Sequence, residues 1–311
     1  MEFDFEILLQ QILNGLVLGS VYALVALGYT MVYGILQLIN FAHGEVLMIG
    51  AMVAVTLAPL LLDAGLPGPL VLLIVVAVAI PTCIALSLTI ERVAYRPLRN
   101  APRLAPLITA IGVSIVIQTV AMMIWKPRPR AFPDLLPTDP IAIGGALLAP
   151  KQILILAVSA LMMAALLLLV HRTRLGRAMR ATAENPRIAG LMGVNANQVI
   201  AATFAIGAAL AALAGVLYGM NYNKAEFMMG VMPGLKAFTA AVLGGIGNLG
   251  GAMLGGLLLG VIESLGAGYI GELTGDVFGS QYQDVFAFVV LIIVLVFRPS
   301  GILGERVADR A

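Results

Sequence analysis

The chain has 311 residues, of which 61% are hydrophobic and 11% charged, and its mean hydropathy is +1.03. Because soluble domains carry about 25% charged residues, this composition excludes a water-soluble globule and predicts an all-α, polytopic transmembrane helical bundle. The net charge of +2 gives no indication of a nucleic-acid partner, and the one cysteine, Cys83, excludes an internal disulfide.

Nine apolar stretches are candidate membrane spans, since a span needs about 20 mostly apolar residues. In chain order they cover residues 8–33, 41–62, 68–90, 104–125, 151–170, 198–220, 234–247, 250–268 and 284–299. The first is long and carries several polar residues, and the seventh is short and rich in glycine. We therefore expect about eight or nine spans, with ten left open, in one transmembrane domain that covers residues 1–311.

The orientation follows from the arginines, which favour the cytoplasmic side in short loops. They cluster in three regions: Arg92, Arg96, Arg99 and Arg103; Arg172, Arg174, Arg177, Arg180 and Arg187; and Arg298, Arg306 and Arg310. The opposite set comprises the acidic N-terminus, the turn at Asp63, and a loop with Glu272, Asp276 and Asp284. Nine crossings put the N-terminus outside and the C-terminus in the cytoplasm.

The longest loop, residues 126–150, disagrees with this charge pattern. It begins with Lys126, Arg128 and Arg130, yet the parity of the crossings places it outside. We interpret it as an external connector, either a plain loop or a docking surface.

The second span opens on a polar interruption, INFAHGE, which contains Asn40, His43 and Glu45. Asn and Gly disfavour a straight helix interior, and an ionisable residue inside a span is a functional hypothesis by default. We interpret these residues as part of a translocation path that binds a substrate ammonium or carboxylate, or as caps of broken helix ends. Because no third ligand lies nearby, we expect no metal site.

A basic stretch, RAMRATAENPRIAGLMGVN, separates two spans at residues 177–195. Asn185 is a typical N-cap and Pro186 suits the first helical position, while Gly193 suits the residue after a helix end. Ile188, Leu191 and Met192 form one apolar face. The pattern predicts a helix from Pro186 to Met192, about 10 Å long, which needs a membrane surface, the bundle or a partner to hold it. The alternative is a positive-inside loop with an accidental helical turn.

Small residues recur every fourth position near the end of the chain. One row is Gly247, Gly251 and Gly255, and the other is Gly256, Gly260, Ser264 and Gly268. Together they predict one flat face for close helix packing, with a pore lining as the alternative. A second polar, glycine-rich interruption covers residues 233–251, and paired interruptions of this kind mark broken helices at a substrate path.

Two charged residues accompany these rows. Glu263 lies inside a span and is a further candidate for the translocation path: it either relays protons or bonds to a neighbouring helix. Lys236 begins a span and is expected to snorkel to the interface.

The motifs of enzymes are missing from the sequence. It contains no Walker A sequence, no G-x-S-x-G, no H-E-x-x-H and no C-x-x-C. We therefore expect no catalytic residues, no cofactor and no ATP binding through a P-loop of this chain.

Four stretches resemble the permeases of branched-chain amino-acid ABC transporters: residues 15–45, 176–195, 207–219 and 241–263. The resemblance extends over nearly the whole chain and is to the shorter of the two permease subunits. It implies a heterodimer with a second related permease, two cytoplasmic ATP-binding subunits, an extracytoplasmic substrate-binding protein, and a place in the bacterial inner membrane with broken helices in the fold.

The resemblance also implies that the cytoplasmic segment 171–197 contains the coupling helix that contacts an ATPase. The matching residues are Glu184, Asn185, Pro186, Arg187, Ala189 and Gly193. The usual Glu-Ala-Ala signature, with a glycine three residues on, is present only at looser spacing. Relatives that carry urea, short amides or other amino acids leave the substrate open, and an ion-coupled secondary transporter or a membrane scaffold is the alternative class.

Overall fold

The computed structural model describes residues 5–99, 101–102, 104–275 and 282–304. Four charged residues of the predicted orientation, Arg103, Asp276, Arg306 and Arg310, lie outside these ranges. The described residues form eleven α-helices and four very short strands, which confirms the predicted helical bundle. The helices are α1 (Phe5–Leu36), α2 (His43–Asp63), α3 (Gly68–Ile90), α4 (Leu104–Trp125), α5 (Pro150–Arg172), α6 (Arg174–Glu184), α7 (Pro186–Leu191), α8 (Ala196–Tyr222), α9 (Val231–Gly244), α10 (Leu249–Thr274) and α11 (Gln283–Phe297).

Seven helices in the described ranges are long and apolar enough to cross a membrane. They are α1, α2, α3 with its extension to Leu98, α4, α5, α8 and α10. The two other apolar helices, α9 and α11, have 14 and 15 residues. At 1.5 Å per residue they are about 21 Å and about 23 Å long, whereas the hydrocarbon core of a bilayer is about 30 Å thick.

The seventh predicted stretch, 234–247, differs from the helix that forms there. The helix α9 covers Val231–Gly244, so it begins and ends three residues earlier. Gly245 and Gly247 have φ angles of 108° and 96°, which side chains rarely adopt, and the turn they make ends the helix.

The helix α1 lies at the centre of the bundle. It is buried through most of Gly15–Val32 and packs mainly against α10, then against α8 and α9. Its apolar residues are distributed all round the helix, as expected for a helix without a water-facing side. A second layer forms where α2 and α3 pack on α8, whereas α4 lies at the periphery with most of its surface exposed.

The connector 126–150 is ordered, and it covers one end of the bundle. Its strand β1 (Arg130–Ala131) pairs antiparallel with β4 (Lys224–Ala225), and β2 (Ile141–Ile143) pairs antiparallel with β3 (Ala146–Leu148). Phe132 and Leu135 are buried against the helices. The connector therefore packs on the bundle through apolar side chains.

Candidate functional site

The beginnings of α2 and α9 meet inside the bundle. Each helix follows a non-helical stretch, residues 37–42 before α2 and residues 223–230 before α9. A Cβ built on Gly44 would lie 2.5 Å from the carbonyl oxygen of Gly230 and 3.2 Å from Cα of Gly234. The two predicted interruptions are thus in backbone contact at glycines, an arrangement that accompanies substrate paths in transporters.

Asn40 stabilises the non-helical stretch before α2. Its Oδ1 accepts hydrogen bonds from the backbone N–H of Ala42 at 3.1 Å and from the hydroxyl of Tyr95 at 3.0 Å. The side chain is buried, and both partners of its oxygen are protein groups. This geometry favours a structural role over contact with a substrate.

His43 is the first residue of α2 and packs against α1. Its ring lies 4.9 Å from that of Tyr29, edge to face, and it occupies the space that a side chain at Gly28 would need. The residue is buried. Within the described ranges, no group of three or more histidine, cysteine, aspartate or glutamate side chains is placed to hold a metal ion.

Glu45 lines a cavity of about 220 Å³ between α2, α4 and α9. Its Oε1 accepts hydrogen bonds from Ser114 Oγ at 3.0 Å and from Gln118 Nε2 at 2.7 Å. Its Oε2 is buried without a hydrogen-bond partner. The rest of the lining comprises Tyr29, Phe41, Ile111, Ile115, Gly230, Val231, Gly234 and Leu235. The cavity therefore combines one carboxylate with mostly apolar walls.

Glu263 belongs to a buried ion cluster. Lys236 Nζ lies 2.6 Å from Glu263 Oε1 and 2.7 Å from Asp284 Oδ1. The hydroxyl of Tyr22 donates to the same Glu263 oxygen at 3.4 Å. The expectation that Lys236 snorkels to the interface was wrong: its side chain is 9% exposed, because two carboxylates from other helices neutralise it.

The four predicted path residues thus lie in different environments. Asn40 and His43 pack in the core at the start of α2, Glu45 lines the cavity, and Glu263 belongs to the ion cluster. Sequence reasoning missed Ser114 and Gln118, although two polar residues four apart in an apolar span lie on one helix face. It also missed the Lys236–Asp284 pair, for which the sequence carries no comparable signal.

The two rows of small residues pack against two different helices. Gly251 and Gly255 lie against Gly244 and Ala240 of α9, and Gly256 and Gly260 lie against α1. The single flat face expected from the sequence is therefore two faces of α10. Gly247 is not in the helix, and a Cβ built there would meet no atom within 4 Å.

The segment between α5 and α8 folds as two short helices. The first, α6, begins after Thr173, whose Oγ1 accepts from the N–H of Gly176 at 3.1 Å. A Cβ on Gly176 would collide with the end of α5, so the glycine allows the sharp corner. The guanidinium of Arg180 donates to the carbonyl of Val170, which ties α6 to the last turn of α5.

The second short helix, α7, has the caps that the sequence predicts. Asn185 Oδ1 accepts from the N–H groups of Arg187 at 3.0 Å and Ile188 at 3.1 Å. The helix ends at Leu191, one residue before the predicted end, and Gly193 has a φ of 85°. Ala189 is buried, whereas Ile188, Leu191 and Met192 are 58%, 87% and 81% exposed. Glu184 and Arg187 are also exposed.

Comparison with known proteins gives full-length matches. A family model described as the permease component of the branched-chain amino acid transport system matches residues 11–295. The chain is 53% identical over 307 residues to the high-affinity branched-chain amino acid transport system permease protein BraD of Pseudomonas aeruginosa, with 97% of each chain covered.

More distant relatives cover the chain equally well. The high-affinity branched-chain amino acid transport system permease protein LivH of Escherichia coli is 46% identical over 316 residues, with both chains covered completely. The probable branched-chain amino acid transport permease protein LivH of Methanocaldococcus jannaschii is 28% identical over 95% of this chain and 92% of its own length. No solved structure matches the chain.

Proposed function

The chain belongs to the family of permease components of branched-chain amino acid transport systems, and we propose that it is one membrane-spanning subunit of a binding-protein-dependent ABC importer. It translocates branched-chain amino acids across the bacterial inner membrane, with its N-terminus outside and its C-terminus in the cytoplasm. Its partners are a second related permease, two cytoplasmic ATPases and an extracytoplasmic binding protein.

The exposed apolar face of α7 carries this proposal. A helix of six residues has no stability of its own in water, yet the chain supplies it with a cap at Asn185 and a terminator at Gly193. The side chains of Ile188 and Leu191, and of Met192 directly after the helix, are nevertheless exposed. Such a patch marks a surface that is covered by another protein, and an ATPase groove is the partner that the family requires.

Packing contacts connect α7 to the helices of the core. The helix α7 packs on α6 and α8, and α6 packs on α5. The helix α8 in turn packs on α1, α2 and α3. A displacement of α7 by the ATPase therefore reaches the helices around the cavity at Glu45, which supports a role of this region in alternating access.

Leu191→Asp tests the docking role. A hot-spot side chain removed from an interface lowers affinity by about tenfold or more, so we expect the co-purified ATPase and the ATP-driven uptake to fall by about that factor. Leu147→Asp is the matched control for ATPase co-purification, because Leu147 is 53% exposed in the β2–β3 hairpin, just before the opposite end of α5. Normal ATPase binding by the Leu191 variant would refute the docking role.

Uptake by the reconstituted complex tests the substrate and the class of transporter. Vesicles that contain both permeases, both ATPases and the binding protein are expected to take up leucine, isoleucine and valine with ATP. Uptake of urea or acetamide in their place would contradict the branched-chain substrate. Uptake by this chain alone, driven by a proton gradient, would instead identify an ion-coupled secondary transporter.

A further inference from the structure

We propose that Glu45 binds the ammonium group of the transported amino acid, in the cavity between α2, α4 and α9. The inference rests on the proposed function and identifies the residue within this chain that distinguishes an amino acid from neutral solutes. The proposed subsite binds a cationic group and lies at the point where the two broken helices meet.

The charge of Glu45 is the first argument. Three glutamates are buried among the described residues, Glu45, Glu91 and Glu263. Glu91 is paired with Arg99 and Glu263 with Lys236, but none of the ion pairs in the described ranges involves Glu45. A carboxylate in a low-dielectric interior favours a cationic partner, and an ammonium group of a ligand provides one.

The hydrogen bonds of Glu45 are the second argument. Ser114 and Gln118 both donate to Oε1, which orients the carboxylate and leaves Oε2 without a hydrogen-bond partner. Neither donor carries a charge, so neither neutralises the carboxylate.

The walls of the cavity indicate the rest of the ligand. Phe41, Ile111, Ile115 and Leu235 surround the carboxylate with aliphatic and aromatic surface, which suits a branched aliphatic side chain. The beginning of α9 lines the same cavity through Gly230 and Val231, and the positive end of a helix favours a carboxylate. A small ligand with an ammonium, a carboxylate and an apolar chain matches all three features.

Uptake by Glu45→Gln tests the subsite. The amide keeps the size of the side chain and removes its charge, so we expect ATP-driven leucine uptake to fall by about 10- to 100-fold, the range for loss of a hydrogen bond to a charged group. Glu45→Asp keeps the charge and is expected to retain more of the uptake. Glu226→Gln is the control for loss of a carboxylate, because Glu226 pairs with Lys224 away from this cavity.

The two proposals fail in different ways in this experiment. If the wild-type complex imports no leucine, the proposed function is wrong. If the wild type imports leucine and Glu45→Gln does so at the same rate, the proposed function stands and the ammonium subsite is refuted.

Cysteine labelling tests the charge without depending on transport. Ser114→Cys is introduced together with Cys83→Ala, which removes the native thiol, and the complex is treated with the cationic reagent MTSET or the anionic reagent MTSES. We expect the cationic reagent to react about five- to tenfold faster because of the Glu45 charge, and leucine to slow the reaction. The proposal is overturned if the ratio of the two reaction rates, MTSET over MTSES, stays the same when Glu45→Gln is combined with Ser114→Cys.

Discussion

At the scale of single residues, the contact between α1 and α10 depends on glycines, which have no side chain to keep the two backbones apart. A Cβ on Gly15 would lie 2.6 Å from Cα of Val261, and one on Gly19 would lie 2.8 Å from the carbonyl oxygen of Gly256. The backbones of α1 and α10 therefore touch, as small residues allow helices to do in lipid. This contact holds the central helix of the bundle.

Gly256→Val tests the contact between α1 and α10. A Cβ at Gly256 would lie 2.5 Å from the backbone N and Cα atoms of Ala23, so the helices must separate. We expect a loss of about 1–3 kcal/mol of stability, the usual cost of overpacking, measured by thermal unfolding in detergent. Gly112→Val is the control, because a Cβ there meets no atom within 4 Å; an equal loss in both variants would contradict the packing role.

At the scale of elements, the ion cluster joins α9 to its neighbours. Lys236 lies on α9, Glu263 on α10, Asp284 on α11 and Tyr22 on α1, with the Lys236 ammonium 5.6 Å from the centroid of the Tyr22 ring. The helix α9 has only 14 residues, and the polar contacts near its middle fix its position against α1, α10 and α11.

Lys236→Met tests the importance of the cluster. Removal of one partner from a buried ion pair costs about 3–5 kcal/mol, because the carboxylates stay behind. The double variant Lys236→Met, Glu263→Gln is expected to recover part of this loss, which chemical or thermal unfolding in detergent would measure. Lys224→Met is the control, since its pair with Glu226 is half exposed and worth less than about 1 kcal/mol. A double variant as unstable as the single one would contradict the argument.

The short helix α7 depends on the side chain of Asn185, which caps its first turn. Asn185→Ala removes the acceptor for two N–H groups and costs about 1 kcal/mol, enough to melt a single turn. We expect faster amide hydrogen exchange over residues 186–192. Asn195→Ala is the matched control, because Asn195 caps α8 in the same manner, and α8 is held by packing along 27 residues. Unchanged exchange in Asn185→Ala would contradict the role of the cap.

At the scale of the whole molecule, the orientation of the bundle in the membrane determines which partner each end can contact. The hairpin β2–β3 precedes α5 and the helices α6 and α7 follow it, so these two regions lie at opposite ends of a helix of 23 residues. If α7 faces the cytoplasm, the cap formed by the connector 126–150 faces the binding protein outside.

Accessibility of single cysteines tests this orientation. In a Cys83→Ala background, an impermeant maleimide is expected to label Leu147→Cys in intact cells and Leu191→Cys only in inverted vesicles. Both positions are exposed leucines, so each variant is the control for the labelling of the other. Labelling of Leu191→Cys from the outside would reverse the proposed topology and separate α7 from any cytoplasmic ATPase.

Features that depend on residues close together along the chain could be predicted before the structure was known. These features are the apolar stretches, the break at residues 37–42, and the caps at Asn185 and Gly193. Each depends on residues within one helical turn or one span, because hydropathy and helix capping act over short separations. The bounds of α9 are the exception, because the helix begins and ends three residues before the predicted stretch.

Contacts between buried polar groups, by contrast, could be identified only from the packed helices. Glu45 finds its two donors 69 and 73 residues further along the chain, and Lys236 meets Glu263 at a separation of 27 residues. Helices that are apolar all round have no polar face to show which side meets which neighbour. The partners of a buried charge in this bundle are therefore set by backbone contacts at glycines, which become visible only when the helices are packed.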